Sequence, residues 1–370
     1  MSKPKHQHFI PKSYLKNFAV SQDDKFFVEA KLKDDDKPKD KLLSIRNICV
    51  NKNLYTLPHT GGDDKYALEK YYAENIDGVY PEVYEMLTDP KKTFITTKQR
   101  AKIVMTTMSL FFRTPKFLNL NERRTNLILD YGVKNHMDDK GIVKFKFKEH
   151  DFHFHIDDIE EVKTTLKIKN KFKFLKEHLD AWQKFTQFKI NSGISVFRIY
   201  EDFDLITSDN PVIMHSVVGN TLNIFDPTNI ISLPLDNKHF LTIFPNTESA
   251  MLDRVFRGDR DKWFGLTTNL DIQRNSEEWI IGKPNSVKKH LTDQVKYGDY
   301  TPENLQALED IKQRAFDAKE LMDIVEQVGT FAHPRVAEKV KELRKKKIHQ
   351  EDPEMNKIIL ELARHGFLTV

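Results

Sequence analysis

The stretch over residues 203–214, FDLITSDNPVIM, restricts the fold more than any other part of the chain. Leu205, Ile206 and Thr207 make a short apolar run with β-branched members, suited to burial in a sheet. Ser208-Asp209-Asn210-Pro211 stops it. Asp and Asn turn a chain by bonding their own backbone, and Pro211 removes a donor and fixes φ. A carboxylate and an amide are therefore delivered at the mouth of a buried strand. An Asx turn joining two strands needs the same residues, so structure and chemistry compete for one motif.

The other segments are expected to build around that strand. His6 and His8 precede a short helix begun after Pro11, with Tyr14, Leu15 and Phe18 on one face. Residues 25–33 (KFFVEAKLK) are the first strand candidate, a polar turn over 34–41 follows, and residues 45–56 resume apolar character, so the region reads as small and β-rich. After a loop around Pro58, Gly61 and Gly62, Asp63 or Asp64 caps a helix carrying Leu68, Tyr72 and Ile76, which Pro81 divides. Residues 97–120 read as one helix, closing on FFRTP, so Arg113 falls on an otherwise apolar face. Alternation over 144–156 predicts a hairpin, and a long amphipathic helix follows. Strands are expected over 193–200, 203–208, 212–214, 221–225, 230–234 and 240–244. Past Pro302 the sequence turns helical and charge-laced. The expectation is an α+β body over 1–298, a mixed or antiparallel sheet packed on a central helical block, with a C-terminal helical tail over 299–370.

Bulk properties bound the function. Apolar residues at 39%, among them 26 Phe, can build a core, and no apolar run approaches the ~20 residues that span a bilayer. The opening MSKPKHQHF has no apolar signal-peptide core, so a cytoplasmic location is expected. The single Cys49 excludes internal disulfides and cysteine-cluster zinc sites. A net charge of +4 is too small to mark a dedicated nucleic-acid binder. The chain carries no Walker loop, strand-borne GxGxxG, HExxH or GxSxG.

Three weaker features read mostly as surface. His153 and His155 share a strand face but sit beside Lys144 and Lys146, which would repel a cation, so no metal site is expected there. Glu29-Ala30-Lys31 is half of a nuclease-type E-x-K pattern without its earlier aspartate. Lysines 163, 167, 169, 171, 173 and 176, with Phe172 and Phe174 between them, suit a solvated helix face.

The constellation with chemical content is dispersed. His8 titrates near neutrality, Glu69 and Glu74 share a helix, Arg113 lies on the next, and Asp209 with Asn210 closes the strand. Arg113 needs a carboxylate partner if buried. An acid, a base and an arginine around one pocket suit attack on a phosphoryl centre. The expected roles are His8, Asp209, Glu69 and Glu74 in catalysis, with Arg113, Asn210, Ser208 and Tyr14 binding substrate. His8 beside Asp209 would hold its proton and serve as general acid.

These positions also carry a resemblance. H-x-x-P-x-x-Y-L-x-x-F at His8, Pro11, Tyr14, Leu15 and Phe18, NKNLYTL, LEKYYAENID over 68–77, FFRTP over 111–115 and ITSDNPV over 206–212 resemble the bacterial domain-of-unknown-function family 4238. ISLPL and TTNLDIQ continue it, over roughly residues 6–290. Phe9 stands where tyrosine is expected, keeping the ring and losing a hydroxyl. The resemblance brings no reaction with it.

Three functions compete: a nuclease- or phosphodiesterase-like enzyme on nucleic acid or nucleotides, in the manner of a phage-defence effector; a sensor of a small anionic ligand; and a protein-interaction module. The cofactor is open, a divalent metal being compatible with the first. No membrane partner is expected, and the tail could join a second copy or another protein.

Overall fold

The computed structural model describes residues 6–33, 42–56, 65–216, 226, 228–246, 251–298, 302–350 and 353–368. The turn expected over 34–41, the loop around Pro58, Gly61 and Gly62, the cap at Asp63 or Asp64 and the strand over 221–225 lie outside them, as do the side chains of Lys171, Phe172, Lys173, Phe174 and Lys176.

In the N-terminal part, β1 (His6–His8) and α1 (Lys12–Leu15) precede β2 (Val20–Gln22), β3 (Lys25–Leu32), β4 (Leu42–Ser44) and β5 (Val50–Lys52). A helical block follows, with α2 (Ala67–Tyr72), a π-helical turn (Ala73–Asp77), α3 (Tyr80–Thr88), α4 (Thr97–Phe112), α5 (Pro115–Leu118) and α6 (Leu120–His136). The hairpin β6 (Ile142–Phe147) and β7 (His150–His155) leads into α7 (Ile159–Lys189). Next come β8 (Ser192–Ile199), β9 (Thr207–Ser208), β10 (Ile213–His215), β11 (Ile230–Pro234), β12 (His239–Asn246) and β13 (Val255–Arg260). The body closes with α8 (Lys262–Asn275), β14 (Trp279–Gly282) and α9 (Ser286–Gly298), and the tail is α10 (Pro302–Val328), α11 (Pro334–Leu343) and α12 (Pro353–Arg364).

The fold is α+β. Among the described residues one sheet runs β10-β11-β12-β8-β13, antiparallel except for the parallel β8–β13 pair. A second runs β2-β3-β14-β9, with β4 also on β3, so it joins the two ends of the body. Among the described residues β1 pairs only with β5, as a two-stranded ribbon. The main core lies where α4 (Ile103, Val104, Met108, Phe112) and α7 (Trp182, Phe185) meet the sheet residues Ile194, Val196, Leu241 and Ile243. No helix among the described residues is long and apolar enough to cross a membrane.

Two expected elements come out differently. The single helix over 97–120 is divided. Thr96 and Gln99 cap α4 reciprocally, and the helix stops at Phe112 because Pro115 has no N–H to continue the ladder. Thr114 Oγ1 then accepts the amide of Phe117 and starts α5. The strand expected over 203–208 is laddered only at Thr207–Ser208. Upstream the same extended chain is held by other groups: Leu205 N donates to Asn237 O (2.8 Å) and Ile206 N to Asn269 Oδ1 (2.9 Å).

The tail has an apolar cluster of its own, including Leu321, Val325, Val336, Val340, Leu343, Ile359 and Leu362. Ion pairs tie it to the body, Arg314 to Asp261 (2.5 Å) and Lys357 to Asp259 (3.3 Å). A chain ending at Gly298 is expected to remain soluble and to melt cooperatively by circular dichroism. Insolubility would mean that α10–α12 cover core surface.

Candidate functional site

Arg113 is the centre of the site. It sits at the C-terminal end of α4, only 2% exposed. A buried guanidinium must satisfy its fork. Nη1 reaches Asp77 Oδ1 at 2.6 Å, and Nη2 donates to the carbonyl of His8 at 2.6 Å. Its plane lies over the ring of Tyr72, 4.5 Å from the centroid. Tyr55 Oη donates back to the Arg113 carbonyl at 2.5 Å, and Tyr72 Oη meets His178 Nε2 at 2.6 Å. His178 Nδ1 lies 3.0 Å from the Leu175 carbonyl, which can only accept, so Nε2 is the acceptor for Tyr72.

β1 places side chains on both sides of this cation. Successive strand residues point opposite ways. Gln7 faces inward and is buried; its Nε2 donates to Glu69 Oε2 at 2.7 Å and its Oε1 accepts Tyr55 N at 2.6 Å. His8 faces the other way, half-buried, with Nε2 3.1 Å from the Ile45 carbonyl. That contact requires Nε2 to carry the proton, so a neutral His8 presents Nδ1 as an acceptor.

Burial pushes the His8 imidazole below its ordinary value; the Ile45 bond opposes this, and the Lys12 and Arg113 cations add to it. The expectation of a raised, proton-holding His8 is thereby corrected, because its neighbourhood is desolvated and cationic. Glu69 shifts upward, first through burial, against the Gln7 hydrogen bond and Arg113. Both groups feel Asp77, which is 30% exposed and held by Arg113. The arrangement can take a proton at His8 and hold a carboxylate beside it.

His8, Glu69 and Arg113 therefore come together, but the carboxylate paired with Arg113 is Asp77, not Glu69, Glu74 or Asp209. Glu74 is exposed on the π-helical turn. Asp209 is engaged elsewhere: its Oδ1 accepts Glu277 N (2.9 Å) and its Oδ2 accepts Glu278 N (2.7 Å), holding the start of β14. Asn210 is 1% exposed and exchanges bonds with Asn275, Nδ2 to Asn275 O (3.0 Å) and O from Asn275 Nδ2 (2.7 Å). Ser208 Oγ accepts Asn210 N at 3.1 Å. Tyr14, fully buried, donates to Pro234 O at 2.9 Å and meets Thr207 Oγ1 at 2.6 Å. These four residues tie β9 to α8, β14, α1 and β11; the expected convergence of Asp209 with His8 and Arg113 gives way to that role.

Other candidates are also occupied. Glu29 accepts the first amides of α9, Val287 N at 2.9 Å and Lys288 N at 3.2 Å, which removes it from a nuclease-type pair. His155 Nε2 bonds the Lys140 carbonyl at 3.0 Å. No group of three metal-ligating side chains occurs among the described residues.

Gln7, Tyr55, Tyr72, Asp77 and His178 were not singled out by type and spacing. Two signals pointed to Gln7 and Asp77. A residue between two histidines on a strand must face the other way, and Asp77 ends the LEKYYAENID segment.

No curated protein and no solved structure matches the chain. A family model does: the one described as protein of unknown function (DUF4238) matches residues 6–286, which hold β1, the helical block, β9 and β14 and leave out the tail. By that match the chain belongs to the DUF4238 family.

Proposed function

We propose that the chain is a hydrolase-type enzyme acting on nucleotides or nucleic acid, with His8 as general base and Asp77 as its neighbouring carboxylate. The observation that carries this reading is His8 itself: half-buried, neutral by its surroundings, with its tautomer fixed so that Nδ1 can accept a proton. In the reaction His8 Nδ1 takes a proton from water, the water oxygen bonds phosphorus, the leaving P–O bond breaks, and the imidazolium returns the proton to the leaving oxygen. Arg113 is buried, with Nη1 and Nη2 engaged on Asp77 and the His8 carbonyl, and the buried Asn210 amide donates to Asn275 O, so anion contact falls to exposed Lys12, close to His8. Arg113 acts as a positioning residue, fixing Asp77 and the His8 backbone together.

The test is turnover of single-stranded RNA, DNA and free nucleotides by the purified chain, with and without magnesium or manganese. His8→Ala is expected to lower kcat/KM by about 10²-fold or more at nearly unchanged Tm. Because burial lowers the His8 pKa, wild-type kcat/KM should hold its plateau through neutrality and fall only below pH 6.5. Folding stability has the same sign: the part set by His8 is complete above 6.5 and is lost as pH falls toward its folded-state pKa. Inactivity on every substrate, or a fully active His8→Ala, overturns the reading.

A further inference from the structure

The outward face of β1 carries more positive charge than one phosphate can use. His6 and His8 share that face, about 7 Å apart at strand rise. In the β1–β5 register Lys52 stands opposite His6 and Val50 opposite His8, so Lys52 lies on the same face. On the other side of the His8 ring, Ile45 accepts its Nε2–H, and the next residue, Arg46, is exposed. Lys12 opens α1, exposed and within electrostatic reach of His8. The carboxylate beside His8, Asp77, is paired with the Arg113 cation, and between residues 6 and 56 the described acids lie apart from this face. Glu29 is buried on the α9 amides, while Asp23 and Asp24 make the β2–β3 turn, with φ of 48° and 58°.

We propose that this face binds a single-stranded oligonucleotide, with Lys12, Arg46 and Lys52 contacting successive phosphates around His8. The inference rests on the enzyme reading above and narrows its substrate from nucleotides in general to a strand of several residues. A rigid duplex could not follow the chain into a half-buried imidazole, whereas a flexible strand can track a cationic groove.

The experiment uses the full chain as His8→Ala, so that no probe is consumed. Labelled 12-mers of oligo-dT and oligo-U, a 12-base-pair duplex, and UMP as competitor are followed by fluorescence anisotropy between 50 and 300 mM salt. Either single strand, DNA or RNA, is expected to bind at least tenfold more tightly than UMP or the duplex. Three phosphate contacts should give log K a slope of about −2 against log salt. Adding Lys12→Gln, Arg46→Gln and Lys52→Gln together should cost at least tenfold in affinity and flatten that slope. Lys25→Gln, exposed in β3, serves as the control and should change little. Unchanged strand affinity in the triple variant overturns the inference, as does equal competition by UMP or tighter binding of the duplex. The two readings fail separately. Lost binding in the triple variant, with turnover surviving His8→Ala, keeps this surface and removes the base. Turnover lost with His8→Ala, with normal binding by the triple variant, does the reverse.

Discussion

Replacing Arg113 by methionine should lower the free energy of unfolding by about 3 kcal/mol, the low end for breaking a buried ion pair. The low end applies because Asp77 keeps 30% exposure and can regain water once the guanidinium is gone. The His8 carbonyl loses the 2.6 Å bond from Nη2, and Tyr72 loses the cation on its face. Methionine fills much of the aliphatic volume, so the loss is chiefly polar. Arg113→Lys keeps the charge but one ammonium cannot reproduce the fork to both Asp77 and the His8 carbonyl, so it should fall between the two. Urea titration at pH 7 checks the stability. Turnover should fall with it, since β1 is anchored to the helical block through this residue. A methionine variant as stable as wild type would show that the guanidinium holds nothing together.

What could be read from the sequence follows from how local each signal is. The hairpin over 144–156 is written in its own alternation: Phe145 and Phe154 are buried on its inner face, with Phe147 and Phe152 half-buried beside them, and Ile156 falls just past β7. Arg113 stood out because it interrupts an apolar helical face before a proline, and it is buried. Its partner did not stand out. The π-helical turn at Ala73–Asp77 widens the helix by one residue, so a 3.6-residue count along 68–77 misplaces the face on which Asp77 lies. His8 was found by residue type, but its pKa is lowered first by burial and further by the Lys12 and Arg113 cations, against the Ile45 bond, and Ile45 and Arg113 lie 37 and 105 positions away. Burial by distant segments leaves no trace in the residues beside it.

The Ser208–Pro211 motif is the reverse case, a strong local signal with a meaning set at long range, and Asp209→Ala separates the two meanings. Asp209 is 4% exposed and its carboxylate accepts the amides of Glu277 and Glu278, 68 and 69 residues away. Alanine leaves both amides without that acceptor beside the β9–β14 pairing. At about 1–3 kcal/mol for each buried group left unsatisfied, and with Glu278 exposed so that water can replace part of what is lost, the expected loss lies at the low end, roughly 2–3 kcal/mol. Asp209→Asn keeps one acceptor oxygen and should lose about half as much. Burial raises the Asp209 pKa despite its amide bonds. Its ionisation therefore works against folding: the contribution is most favourable below the unfolded value of 3.8 and is lost as pH rises through the folded-state pKa. That acid-side gain should disappear in Asp209→Asn, measured by denaturant melts from pH 3.5 to 7. If His8 takes the proton as proposed, turnover per folded molecule should stay within about twofold of wild type in both variants, because this turn then lies outside the reacting centre. A 10²-fold loss of turnover at unchanged Tm would instead return Asp209 to the reacting centre and make the Arg113–Asp77 pair a structural clamp alone.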